Sequence, residues 1–310
     1  MRIGIAVGEI RGPVGLPEIV GQVRAAAEAG LATAWFAQAL GWDALTTLGL
    51  VGSRVPGIAL GTAVLPVPAR HPLVLAGQAL STQAALGDRF TLGIGAGIGM
   101  MTDAMFGLPT DRPARRMREY LTVLRPLLRG EEVAHCGEFW TAVGAVSVPG
   151  AQPPPVLLAA LGPAMLRVAG EVADGTVTWL AGVRTVGEHI VPAITGAAAG
   201  RAAPEIVVGL PVCVTNHPDE VRERAARSLA LFESIPSYRA MLDREGVAAA
   251  AEVAIIGDER QVERELGRLA AEGATHILAN LQITGAAEWA RTVELLGALS
   301  PAVSAGSFAG

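Results

Sequence analysis

The chain contains no lysine: all 24 of its basic side chains are arginine. This excludes chemistry that needs a lysine amine, namely a Walker A phosphate loop, a pyridoxal phosphate Schiff base or a Schiff-base aldolase. Cysteine is scarce as well. Cys136 and Cys213 lie far apart and form no CxxC, so neither a disulfide framework nor a thiolate zinc site is expected, which fits a cytoplasmic location. The five histidines (His71, His135, His189, His217, His276) show neither HxH nor HExxH spacing, so no metal is expected. Charged residues make up only 17% of the chain, with a net charge of -5 and no clustered basic run. Neither a nucleic acid backbone nor an anionic membrane is an expected partner. Gly, Pro or charge interrupts every apolar run well before the roughly 18 residues of a membrane span. Met1 and Arg2 run straight into an apolar strand-like stretch, which argues against a signal peptide.

What is present is apolar material, 51% of 310 residues, enough to bury a sizeable core. Arg2 to Val7 is a short apolar run without alternation, the pattern of a strand buried on both faces. A helical pattern follows, with Leu16, Ile19, Val20 and Val23 on one face, Pro17 near the start and Gly30 at the C-terminal cap position. The couplet recurs. Further strands are expected over Thr33–Gln38, Ile58–Val64, Phe90–Gly95, Val156–Ala160, Gly175–Trp179, Ile206–Thr215 and His276–Gln282, making eight in all. Helical patterns between them include Leu73–Leu86, Arg115–Leu128 and Val221–Phe232. Such a β/α alternation closes most naturally as a (β/α)8 TIM barrel, with a doubly wound open sheet as the rival. Two segments interrupt the rhythm: Glu132–Val148 reads as a hairpin inserted before the fifth strand, and about three extra helices, including Glu233–Glu245 and Glu259–Ala271, precede the eighth. One domain over residues 1–300 is expected, with 301–310 as a loose tail.

In such a barrel the reactive groups stand at the carboxyl ends of the strands. Here those positions are poor in acids and bases, with Glu9 the one carboxylate, where a glycosidase would need two. A mouth of Gly, Leu, Pro and Trp suits a flat ligand that carries its own reactivity, as redox cofactors do. The glycine run Gly93, Gly95, Gly97, Gly99 fails the GxGxxG spacing, because Ile98 and Met100 stand where the third glycine is needed. Two readings of Gly95 and Gly97 remain: a strand crowded at the barrel axis, or a backbone that a planar ring can approach.

The stretch Gly57–Gly97 (GIALGTAVLPVPARHPLVLAGQALSTQAALGDRFTLGIGAG) resembles the third and fourth β/α units of the luciferase-like flavin- and deazaflavin F420-dependent oxidoreductases. The likeness continues through RPARRMREYLTVLRPLLRGEEV, PPVLLAALGPAMLRVAGEVADGTVTW and IPSYRAMLDREG, and so covers nearly the whole chain. AALGP and IPSYRAMLDREG look more like the F420 branch than the FMN branch. The family fold is the β/α barrel. The resemblance implies coenzyme F420 as cofactor, FMN being the alternative. It implies a bulge at the end of the third strand, with a non-prolyl cis peptide between Ala63 and Val64, followed by Leu65, backing the cofactor ring. It also implies that the turn Leu161-Gly162-Pro163 opens a helix holding the cofactor phosphate, beside Thr178, Trp179 and Leu180. The alternative for the Gly-Pro pair is an ordinary helix start.

The chain departs from the alcohol- and sugar-phosphate-oxidising relatives, which resemble it elsewhere. Their Asp-His after the second strand corresponds to Gln38 and Ala39, and their Glu after the fourth-strand glycines to Ile98. Glu9 matches a family acid. Glu9 and Gln38 are therefore the candidate catalytic residues, with Glu9 as proton donor or else a plain loop carboxylate. Trp42 walls the substrate side or packs into the core, and His71 starts a helix or joins a dimer face. The expected function is an oxidoreductase moving hydride between F420 and an uncharged, small organic substrate, as a reductase rather than an alcohol dehydrogenase, in a homodimer. The alternatives are an FMN-dependent monooxygenase and a non-catalytic flavin-binding barrel.

Overall fold

In the computed structural model, which describes residues 1–8, 13–282 and 285–301, eight parallel strands close into a barrel. In chain order the strands are β1 (Arg2–Val7), β2 (Thr33–Phe36), β3 (Ala59–Thr62), β4 (Leu65–Pro66), β5 (Phe90–Gly95), β6 (Val133–Cys136), β7 (Thr141–Gly144), β8 (Val156–Ala159), β9 (Gly175–Trp179), β10 (Glu205–Val214), β11 (Ile255–Gly257) and β12 (His276–Leu281). The ring runs β1-β2-β3-β5-β8-β9-β10-β12 and closes where β12 pairs in register with β1, Arg2 opposite His276. Each of these strands is covered on both faces, which explains their uninterrupted apolar sequences.

The helices are α1 (Leu16–Glu28), α2 (Ala44–Gly52), α3 (Pro72–Ala85), α4 (Gly99–Phe106), α5 (Pro113–Leu128), α6 (Pro163–Val172), α7 (Val183–Thr185), α8 (Val191–Ala197), α9 (Pro218–Glu233), α10 (Pro236–Glu245), α11 (Glu259–Ala271) and α12 (Ala286–Leu299). Proline occupies the first turn of many of them, where its missing N–H costs nothing. The hairpin expected before the fifth barrel strand is β6–β7. The three helices expected before the eighth are α9, α10 and α11, with the additional short strand β11 laid along the end of β10.

Several boundaries differ from the sequence reading. Glu233–Glu245 is not one helix, because α9 ends at Glu233 and Pro236 opens α10. The second strand stops at Phe36, leaving Gln38 in a loop, and the third is interrupted at Ala63–Val64. Helix α4 and the π-helical turn Val186–Ile190 between α7 and α8 carry no periodic apolar signature and were not expected. Of the tail, only Pro301 belongs to the described residues.

The barrel interior is filled in an uncommon way. Trp35 of β2 reaches across the axis into a cluster with Ala6, Leu157, Val177, Val207 and Leu278. Room for its indole exists because β1 and β3 carry Gly4 and Gly61 beside it: a Cβ at Gly4 would stand 2.9 Å from the indole nitrogen. Ala63 and Val64 pack on the upper side of this cluster, toward the carboxyl ends of the strands.

Candidate active site

The mouth of the barrel is built around the break in the third strand. β3 ends at Thr62 and pairing with β5 resumes at Leu65, opposite Ile94. The Ala63–Val64 peptide is cis. The segment is held on both sides: Ala63 N donates to Phe36 O at 2.7 Å, and Val64 O accepts from Gln38 N at 3.3 Å. Both side chains are half-buried against the interior cluster, where an unbroken strand would send one of them outward. Next to this shelf, a Cβ on Gly95 would lie 2.9 Å from Val64 Cγ2 and 3.3 Å from the Ala159 Cβ. Gly97 adopts φ +74°, a conformation that side chains disfavour. The crowded-axis reading therefore accounts for Gly95. The left-handed turn accounts for Gly97, and together they leave a low backbone floor beside the shelf.

Strand periodicity separates the remaining expected residues. On β9, Val177 joins the interior cluster, so Trp179 also points inward, with its ring lying over Gly209. Thr178, one position away, turns to the helix layer; it is buried, and its hydroxyl reaches Val207 O at 3.5 Å. Leu65 and Leu180 are fully buried in the outer core between strands and helices. Thr178 and Leu180 thus alternate outward with the period of 2 on either side of Trp179, and Leu65, beyond the break in β3, packs into the outer core, so none of the three presents its side chain to the mouth. Leu180, at φ +57°, enters the mouth only through its backbone.

Gln38 spends its amide on its own loop. Its Nε2 donates to Ala39 O at 3.0 Å and Trp42 O at 3.3 Å, and its Oε1 accepts from Ala44 N at 2.8 Å. The amide thereby shapes the loop that carries Trp42. Asp43 caps α2 by accepting from Thr46 N and pairs with Arg70 at 2.9 Å. Burial raises its pKa, but the Thr46 hydrogen bonds and Arg70 outweigh this and hold it below the ordinary carboxylate value. Trp42 is no core residue. It is 36% exposed, donates from Nε1 to Val14 O at 3.0 Å, and lines a cleft of about 420 Å³ with Pro13, Val14, Gly41 and Asp43. His71 starts a helix: its ring caps α3 at Leu73 N, and Nε2 meets Thr141 O of β7 at 2.9 Å.

The turn Leu161-Gly162-Pro163 opens α6, with Gly162 at the N-cap and no side chain closing the first-turn amides. His189, on the π-helical turn, reaches Leu161 O at 2.8 Å and fixes the turn from outside. From Trp179 a file of edge-to-face rings continues through Phe232 (6.1 Å) to Tyr238 (5.0 Å). Asn280, two positions beyond the inward-facing Leu278, is a polar side chain buried near the mouth that the sequence reading missed. A lone Asn in an apolar strand was the available signal. Glu9 lies outside the described residues.

A profile of the luciferase-like monooxygenase family matches residues 3–299. The chain belongs to that family. Among its curated relatives, the 5,10-methylenetetrahydromethanopterin reductase of Methanolobus tindarius is 29% identical over 217 residues, 69% of this chain and 66% of the relative. Among solved structures, the coenzyme F420-dependent tetrahydromethanopterin reductase from Methanopyrus kandleri superposes with a TM-score of 0.81 at 21% identity, covering 96% of this chain and 97% of the other. An F420-dependent secondary alcohol dehydrogenase in complex with an F420-acetone adduct superposes at 0.79 with 17% identity, over 98% and 99%. At these identities the two superpositions establish the shared barrel.

Proposed function

We propose that the protein is an F420-dependent oxidoreductase that passes hydride between the deazaflavin and an uncharged small organic substrate, acting as a reductase. The observation that carries this reading is the low apolar floor of Ala63, Val64, Gly95 and Gly97, lying between the open first turn of α6 and the Trp42 loop. The glycines keep that floor low, since a Cβ on Gly95 would already meet Val64. The relatives named for F420 support the choice of cofactor. Bound F420 would supply the hydride chemistry at its ring. The chain's own residues would do the rest. Ala63 and Val64 back the ring from the Trp35 side, the amides of the first turn of α6 meet a phosphate, and Gln38 holds Trp42 over the approach to the floor.

The direction of the reaction follows from what the loops carry. Alcohol oxidation needs a base for the hydroxyl proton, and a placed base contributes about 10² to 10⁴-fold. By the resemblance drawn from the sequence, Ala39 and Ile98 stand where the oxidising relatives have theirs. Reduction needs a proton delivered instead, and Glu9 is the carboxyl placed by sequence at the end of β1. Glu9→Gln is expected to lower kcat with reduced F420 while leaving F420 affinity unchanged; full turnover in this variant would remove Glu9 from the mechanism. The cofactor assignment is tested by fluorescence titration of the purified protein with F420, FMN and NADPH. Tight binding of F420 alone is expected, whereas preferential FMN binding would favour a monooxygenase.

We read residues 1–300 as one domain acting in a homodimer. Helices α2 and α3 support the dimer, because neither carries a charged residue and their outer faces expose Leu50 and Val74.

A further inference from the structure

Among the described residues, six of the ten exposed large hydrophobic side chains stand on two segments at the barrel mouth. Met100 (69% exposed), Met101, Met105 and Phe106 belong to α4, and Leu40 and Trp42 to the β2–α2 loop. Helix α4 buries a single residue, Thr102. That is the reverse of an ordinary amphipathic helix, which hides its apolar face and shows its polar one. The two segments flank one stretch of chain. Pro66 and Pro68 lie within 3.8 Å of where a Gly97 Cβ would sit, two residues before α4, and Arg70 from the same stretch holds Asp43 at the start of α2. Both apolar banks therefore rise beside the floor of Ala63, Val64, Gly95 and Gly97.

We propose that the exposed apolar face of α4, with Leu40 and Trp42 on the neighbouring loop, seats the body of a bulky, uncharged, apolar substrate whose reacting end reaches the floor. This rests on the function proposed above and narrows its substrate class. Three observations favour a small molecule over a second copy of the chain. The patch is short, since eight residues of helix span about 12 Å, whereas a stable protein interface needs about 800 Å² on each side. Along the chain it gives way to charge: in the segment that links α4 to α5 and at the start of α5, Asp111 pairs with Arg112 at 2.8 Å and Arg116 at 2.7 Å, and Glu138 pairs with Arg115 at 2.8 Å. It is also continuous with the floor. Three of its side chains are methionines, whose flexible thioethers adapt to an irregular apolar body. Of the eight residues of α4 only Asp103 is charged, so the helix offers little to a phosphorylated substrate.

The test uses Nile red, an uncharged multi-ring dye, titrated into F420-loaded protein. One site per chain is expected, with energy transfer from F420 to the bound dye. The triple variant Met100→Gln, Met101→Gln, Met105→Gln changes exposed side chains and spares the fold. It is expected to weaken dye binding by about tenfold or more, the scale on which lost apolar contacts discriminate ligands, while F420 affinity stays the same. Val143→Gln, an equally exposed apolar position on the hairpin, is expected to change nothing. Dye affinity indifferent to the triple variant would overturn the inference, as would a drop in molecular mass by light scattering, which would make the face an interface between copies. If F420 itself fails to bind while the dye still responds to the triple variant, the proposed cofactor falls and the apolar seat stands.

Discussion

At the scale of single residues, the mouth depends on one hydroxyl. Where the third strand breaks, its ladder to β5 lapses between Gly61–Thr91 and Leu65–Ile94. Thr62 fills the gap: its Oγ1 donates to Gly93 O at 2.7 Å and accepts from Gly93 N at 2.8 Å, all of it buried. Gly93 is glycine because a Cβ there would overlap the Thr62 carbonyl. Thr62→Val keeps the shape and leaves both Gly93 backbone groups buried without partners. A loss of about 2 kcal/mol or more is expected from the urea midpoint, with Thr62→Ser near wild type. The sequence displayed the glycine and the threonine without their relation, since they are 31 residues apart and meet only across the sheet.

Among the elements, the β6–β7 hairpin shows how an insertion is fastened. Glu119 of α5 accepts from Phe139 N at 3.0 Å, Trp140 N at 2.8 Å and His135 Nε2 at 3.3 Å. Burial raises the Glu119 pKa, yet these donors outweigh it and keep the carboxyl below its ordinary value. The clasp is therefore at full strength above the ordinary carboxylate pKa and weakens as pH falls below it. Glu119→Gln removes the charge from the three bonds. Faster amide exchange over residues 133–144 is expected, with a loss of about 1 to 3 kcal/mol in stability. Exchange unchanged from wild type would mean that the remaining contacts, the Tyr120–Trp140 edge contact at 5.1 Å and the His71–Thr141 and Arg115–Glu138 bonds among them, suffice to hold the hairpin. The hairpin was legible in the sequence from its β-like residues around Gly137 and the turn-rich run after it. Helix α4 was not, because it buries nothing periodic.

For the molecule as a whole, closure of the barrel joins the first strand to the last and traps His276 at the amino-terminal end of the strands, away from the mouth. His276 begins β12 and is only 3% exposed, beside Arg2, the N-terminal amine and the Thr275 hydroxyl at 3.0 Å. Burial first, then the positive charges of Arg2 and the N-terminus, push its pKa down to about 3. The folded pKa thus lies below the unfolded one. The stabilising effect of the neutral ring is complete above about 6.5 and declines as pH falls from there toward 3. Urea midpoints are expected to drop between pH 6 and 4 with a slope approaching 1.4 kcal/mol per pH unit from this group. His276→Gln should flatten that slope, and a parallel acid limb in the variant would place the proton uptake elsewhere.

The sequence by itself determined the eight-fold alternation, the two insertions and the apolar, acid-poor mouth. Burial on both faces of a strand, helical periodicity and proline at helix starts are local patterns that neighbouring residues write directly. Only the tertiary structure decided which strand-end residues look inward. Trp179 faces the mouth while Thr178 and Leu180 do not, and Leu65 lies in the outer core although Ala63 and Val64 form the shelf. A single residue of bulge reverses the alternation, so inward and outward cannot be counted along the chain beyond the break in β3. The same holds for Trp35: its indole fills the axis because Gly4 and Gly61, on the two neighbouring strands, leave the space.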